Sequence, residues 1–331
     1  MMAAAAAGAG ALPNDNNSST NNSTAAVTDD GRGEFSGTVN RVAYQGVPGA
    51  YSEQAALKVC PTWEPLPCEQ FEVAFQALSQ WSAEKAVLPI ENSLGGSIHT
   101  VYDLLLRYRL HIVGEVSVAV NHCLLALPGV QKGEIKRVMS HPQALAQTDG
   151  YTRRMTGVVR EAVDDTAGAA KMIAEHGWRD AAAVASRRAG ELYGLEVLDE
   201  GIQDMKDNVT RFIVLSRDPL VPTGADSSMY KTSVCFSLQE GPGMLFKALS
   251  VFALRDIDLT KIESRPMREN PILMTSMVAG ETSSVRGFNY LFYVDFIGAL
   301  TDPVCQNALR HLQEIAPFLR VLGTYPRDLD M

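Results

Sequence analysis

From residue 41 onward, short apolar runs alternate with stretches whose apolar residues return every third or fourth position. "RVAYQG" (41–46), Val87, Leu88 and Ile90 of "KAVLPIEN", and Phe212, Ile213, Val214 and Leu215 of "NVTRFIVLSR" have the length and density of buried strands. "CEQFEVAFQALSQW" instead spaces Phe71, Ala74, Phe75, Ala77 and Leu78 along one helix face, and Ile98, Val101, Leu104, Leu105 and Tyr108 form another. Pro48 and Gly49 mark a turn before a helix, with Ser52 as its expected cap; Ser97 is the expected cap of the helix carrying Ile98. An extended stretch, "EVSVAVNHCLLAL", follows. Then come strand-then-helix units in "IKRVMSHPQALAQTDGYTRR", "VVREAVDDTAGAAKMIAEHG" and "DAAAVASRRAGELYGL". Strands alternating with helices predict α/β layers around parallel sheets, with ligands at the carboxyl ends of strands and the N-termini of helices.

The pattern changes after "VPTGADSS" (221–228), a linker by composition. Strand "KTSVCFSLQ", turn "EGPG", helix "MLFKALSVFALRD", strand "DLTKIESRPM", strand "NYLFYVDFIG", helix "PVCQNALRHLQEIAP" and strand "LRVLGTYP" follow, with an irregular loop expected over 268–288. The order βαββαβ is that of a ferredoxin-like domain. At the other end, residues 1–38 are Ala, Asn, Ser, Thr and Gly with almost no large apolar side chains, so a disordered leader is expected. It has the Ala and Ser of a transit peptide, but its first arginine is Arg32 and it carries Asp15, Asp29, Asp30 and Glu34.

Composition narrows the function. A net charge of −9 over 331 residues, with no dense Lys/Arg run, argues against a nucleic-acid binder. No apolar stretch reaches the length of a membrane helix. The five cysteines are scattered without a C-x-x-C, which reads as reduced, buried thiols. The six histidines show no ligand spacing, so no metal is expected. There is no Walker A loop, no G-x-G-x-x-G, and no Ser-His-Asp order. A carboxylate pair could be drawn from Glu91, Asp164 and Asp165, but nothing in the spacing selects one. What stands out is a set of polar corners where strand gives way to helix: Ser52, Asn92–Ser93, His141–Pro142–Gln143, Thr166 and Ser186. Each is an ordinary helix cap alone; together they would ring a sheet edge with free N–H groups suited to carboxylates.

"YQGVPGAYSEQAA", "LPIENSLGGSI", "VNHCLLALPG", "SHPQALAQ", "DDTAGAA", "AAVASRRAGELYGL" and "NVTRF" occur in the order seen in the prephenate dehydratase family, and "EGPGMLFKALSVFALRDIDLTKIESRP" with "LGTYP" resembles that family's C-terminal ACT regulatory domain. The similarity is greatest to the plant branch, whose members are arogenate dehydratases, some also accepting prephenate. The resemblance implies a catalytic region (39–220) of two α/β lobes, like a type 2 periplasmic binding protein. The chain would cross between lobes near "EVSVAVNH" and just before "NVTRF". A linker (221–228) and an ACT domain (229–331) would follow. It implies decarboxylating dehydration of arogenate or prephenate without a cofactor. Thr210 would be the catalytic hydroxyl and Arg211 would raise the local positive potential. Asn92, Ser93, Thr166 and Ser186 would hold the substrate, with His122, Gln143 and Phe212 as further contacts.

Phenylalanine is the expected effector. Its site would draw on Gly241, Gly243, Met244 and Leu245 of one subunit, and on Ile262, Glu263, Ser264, Arg265 and Pro266 of a neighbour. A homodimer or homotetramer in the chloroplast stroma, or else the cytoplasm, is implied. A non-catalytic amino-acid-binding regulator built on the same folds is the alternative. A bifunctional enzyme carrying chorismate mutase is not expected, because a 38-residue leader cannot supply that helical domain.

Overall fold

The computed structural model describes residues 39–224, 226–239, 241–266 and 290–329. The leader and the 268–288 loop lie outside the described residues. The chain opens with β1 (Arg41–Gln45), α1 (Tyr51–Val59), β2 (Glu64–Cys68), α2 (Phe71–Ser79), β3 (Lys85–Asn92), the two-residue β4 (Gly96–Ser97), α3 (His99–Arg107) and β5 (His111–Ala119). A second run holds β6 (Cys123–Ala126), β7 (Arg137–Ser140), α4 (Pro142–Gln147), α5 (Asp149–Thr152), β8 (Val159–Ala162), α6 (Thr166–His176), β9 (Ala181–Ala185), α7 (Arg187–Tyr193) and β10 (Glu196–Glu200). Then come β11 (Val209–Ser216), and after a coil β12 (Tyr230–Ser237), α8 (Met244–Ala253), β13 (Leu259–Pro266), β14 (Tyr290–Ile297), α9 (Pro303–Ile315) and β15 (Phe318–Pro326).

The strands form three sheets, ordered β2-β1-β3-β11-β5, β10-β6-β9-β7-β8 and β13-β14-β12-β15, with β4 paired to β3. The chain leaves the first sheet after β5 and returns to it as β11, so two crossings join two α/β lobes, as the resemblance implied. The third sheet is antiparallel with βαββαβ connectivity, which is ferredoxin-like.

The lobes are not purely parallel as the alternation suggested. β11 runs antiparallel to β3 and β5, and β6 runs antiparallel to β9 and β10. The crossings are the cause, since a strand arriving from the other lobe enters from the opposite end. β2 escaped the sequence reading because Pro65 and Pro67 fall in it; it is an edge strand, where proline is tolerated.

Each face of the first sheet has its own cover. α1 packs over Val42, Tyr44, Val87, Val116, Val118, Phe212 and Val214. α2 and α3 cover the opposite face together with the third sheet. There Leu88, Ile90, Ile213 and Leu215 meet Tyr293, Leu322 and Tyr325. Backbones come into contact at this junction: a Cβ on Gly323 of β15 would lie 2.0 Å from the Ile112 carbonyl oxygen of β5. Arg320 adds donors to the carbonyls of Leu106 in the last turn of α3 and of Tyr108 and Leu110 just after it. All five cysteines are free and buried.

Candidate active site

A cavity of about 380 Å³ lies between the lobes. Its floor is built by one irregularity in β3. β11 alternates regularly, so Thr210 and Phe212 point into the cavity while Arg211 and Ile213 point away. Opposite it the register steps from Phe212↔Pro89 to Arg211↔Glu91, leaving Ile90 as an extra residue. Ile90 and Glu91 therefore both face away from the cavity, and Asn92 lands beside Thr210 on the cavity side. Bulges of this kind re-aim side chains near active sites.

Asn92 is the hub of a polar network. Its Nδ2 donates to Thr210 Oγ1 (2.9 Å) and Asn208 Oδ1 (2.7 Å), and its Oδ1 accepts from the Leu94 and Gly95 amides. Gln147 Oε1 accepts from Asn208 Nδ2 (3.0 Å) and lies 3.1 Å from His122 Nε2. Thr210 thus accepts from an amide, and its own proton is left to be donated into the cavity. Burial lowers the His122 pKa, against the opposing hydrogen bond to Gln147, so its imidazole is neutral near pH 7.

Two helices begin at the cavity. α1 has no capping side chain; its N-cap is Ala50, and Ser52 sits inside the first turn, lining the cavity rather than capping. Asp165, not Thr166, caps α6 by accepting from the Gly168 amide, and burial raises its pKa. Thr166 is the first helical residue and faces the cavity. Gln143 lines it from α4, and its Nε2 reaches so close to Gly95 that a Cβ there would stand 1.7 Å away. Among the residues lining the cavity are the carboxylates Asp164 and Asp165 but no lysine or arginine.

Of the residues expected at the substrate, Thr210, Asn92, His122, Gln143, Thr166 and Phe212 meet here. Three do not. Arg211 lies on the opposite face of β11, where its guanidinium donates to Glu91 (2.6 Å), Glu115 (3.0 Å) and Asp295 (2.8 Å). Strand alternation is the reason, and its charge is neutralised before it can act on the cavity. Ser93 exchanges hydrogen bonds with the 207–209 backbone. Ser186 caps α7 and donates to the Gly49 carbonyl (2.7 Å), tying the lobes together. Gly49 is needed there, since its φ is +92° and a Cβ would stand 2.9 Å from Ala189 Cα. Sequence reasoning missed Gln147 and Asn208. The one available signal was that Gln143 and Gln147 are four apart, on one face of a helix beginning at a polar corner.

The expected effector residues also divide. Gly243, with φ +75°, caps α8 ahead of Met244 and Leu245, and Gly241 lies exposed before it. On β13, Ile262, Ser264 and Pro266 form the exposed row. Glu263 and Arg265 face the first lobe instead, bound to Ser97 and Asp103. Ser97 is in β4 and does not cap α3, whose N-cap is Ile98.

Residues 42–220 match the sequence family described as Prephenate dehydratase. A relative from Arabidopsis thaliana, "Arogenate dehydratase/prephenate dehydratase 2, chloroplastic", is 58% identical over 89% of this chain and 75% of its own. Among solved structures, prephenate dehydratase from Arthrobacter aurescens in complex with L-Phe is 30% identical with a TM-score of 0.75, covering 87% of this chain and 90% of its own. A structure titled "GqqA- a novel type of quorum quenching acylases" is 35% identical with a TM-score of 0.75, covering 88% and 99%. With the family matched across the lobes that enclose Thr210, and a relative of this identity along most of both chains, the chain belongs to the prephenate dehydratase family.

Proposed function

We propose that the cavity converts arogenate to phenylalanine, with release of CO2 and water, and takes prephenate less well. The bond from the ring to its carboxylate breaks, the electron pair moves into the ring, and hydroxide departs from the opposite carbon. The departing oxygen gains negative charge. Thr210, already accepting from Asn92, donates its hydrogen bond to that oxygen, and solvent supplies the net proton. The first-turn amides of α1 and the hydroxyls of Ser52 and Thr166 receive the carboxylates. Phe212 and Pro89 offer the apolar surface against the ring. Acyl transfer is less well served: a nucleophilic threonine needs an adjacent base, and the partner of Thr210 is an amide donor.

The observation that carries the choice of substrate is the charge of the lining. Asp164 in the lining disfavours the keto side chain of prephenate and favours the ammonium group of arogenate. The expected kcat/KM for arogenate exceeds that for prephenate by about two- to fivefold, the worth of one partly exposed ion pair. Steady-state kinetics with both substrates checks this; equal or reversed ratios overturn the preference. No turnover of either would favour the regulator reading.

Residues 39–220 form the catalytic region and 229–331 an ACT domain joined by 221–228. Phenylalanine binds the ACT domain and inhibits. The support is the α8 N-terminus at Gly243, which no side chain among the described residues caps, with the exposed row Ile262, Ser264 and Pro266 on β13, the outer strand of the same sheet among the described residues. Such an edge is open to pairing with a second subunit, in a homodimer or homotetramer. Calorimetry is expected to show phenylalanine binding that Ser264→Ala weakens. No binding heat would remove this site. The name of the Arabidopsis relative supports a chloroplast location.

A further inference from the structure

On the face of β11 turned from the cavity, three cations and three carboxylates close on one another across the junction with the third sheet. Arg211 bonds Glu91, Glu115 and Asp295; Lys231 bonds both oxygens of Glu115; Lys261 stands 2.5 Å from Glu91. The Arg211 side chain is 5% exposed. Lys261 belongs to β13, whose exposed row carries Ser264, and it also donates to Ser97 of β4 (2.9 Å).

The positions of these groups along the strands matter more than their number. Arg211 pairs in register with Glu91, and Thr210 with Asn92. The two side chains that meet in the cavity are thus each one peptide bond from two side chains that meet on the far face. Arg211 and Glu115 have further partners. The ionic partners of Glu91 among the described residues are Arg211 and Lys261. Burial by itself would raise its pKa, but the charges of Arg211 and Lys261 hold it below the usual carboxylate range. Without Lys261, Glu91 is a partly buried carboxylate with one partner, at the bulge that sets where Asn92 points.

We propose that Lys261 is a positioning residue for Thr210: by holding Glu91 it fixes the bulge that presents Asn92 Nδ2 to Thr210 Oγ1. This rests on the reading of Thr210 as the hydroxyl that assists departure. A displacement of β13 is then felt at Thr210 through two side chains and one step of strand alternation.

The test is kinetic, in the full chain. Lys261→Met is expected to lower kcat about tenfold with KM within twofold, a size typical of coupling through packed networks. Lys261→Arg recovers most of the loss. In a Thr210→Ala background, Lys261→Met changes kcat by less than twofold, because the hydroxyl it positions is gone. Glu91→Gln, which keeps the shape and removes the charge, shows the same dependence on background and serves if Lys261→Met melts without cooperativity. An equal loss in both backgrounds, no loss in the wild-type background, or a rise in KM without a fall in kcat overturns the proposal alone. A wild-type kcat in Thr210→Ala overturns the assignment of Thr210 and the proposal with it.

Discussion

Thr210→Ala is expected to lower kcat by about 10²- to 10³-fold while KM stays within about twofold. The hydroxyl has one described partner, the Asn92 amide, so removing it strands a donor that still has Asn208 and the Val209 carbonyl. The fold therefore loses little. Ground-state binding also loses little, because the substrate's neutral hydroxyl needs less help than the hydroxide it becomes. The loss falls on the transition state, where one well-placed donor is worth about 2.7–4 kcal/mol. Thr210→Ser should keep most of the rate, although a serine rotor is less confined than a β-branched threonine. Single-turnover measurement of CO2 release, with KM from steady-state runs, separates chemistry from binding. A fall in kcat/KM carried by KM would place Thr210 in substrate binding instead.

Gly323→Ala is expected to destabilise the chain by about 3 kcal/mol, at the upper end of the usual cost of overpacking. The added methyl would meet the Ile112 carbonyl oxygen at 2.0 Å, and its carbon and amide nitrogen at 2.8 and 2.9 Å. These are backbone atoms of β5, held in place by β11, and no flexible side chain can give way. The third sheet must shift, taking with it Leu322 and Tyr325, which lie in the shared core. A fall in melting temperature of roughly 4–5 °C is expected for a chain of 331 residues. Differential scanning calorimetry measures it; an unchanged melting temperature would show that the junction is looser than its contacts imply.

The same junction limits what truncation can reveal. Removing 229–331 would expose the apolar face around Ile90, Ile213 and Leu215 and leave Arg211, Glu91 and Glu115 without Asp295, Lys261 and Lys231. A truncated chain would report damage to the first lobe as well as loss of an effector site. Point substitutions on the exposed row of β13 probe regulation more cleanly.

Elements and order were legible because their signal is local: apolar spacing at Phe71–Leu78 or Val101–Leu105 needs no knowledge of the partner. The cavity residues carried by motifs, such as Thr210 and Asn92, were legible for the same reason. What failed depends on contacts between distant segments. Ser186 looks like any polar corner until Gly49 is seen across from it. Arg211 looks like a companion of Thr210 until Asp295, 84 residues on, is seen to claim it. Ser52 and Ser97 were read as caps because both precede apolar spacing, yet one faces the cavity and the other bonds Glu263.

The extra residue in β3 has a consequence for comparing this chain with others. In a strand, odd and even positions belong to different environments, and one inserted residue exchanges them for every later position. Before Ile90 the chain counts in one parity; from Glu91 it counts in the other. A relative with an unbulged strand at this point would need its acid and amide one position earlier, at the places of Ile90 and Glu91, to keep an acid beside the arginine and an amide beside the threonine. Aligning the letters "IEN" is therefore not enough to transfer the roles of Glu91 and Asn92. The frame in which the letters are read has to be transferred too.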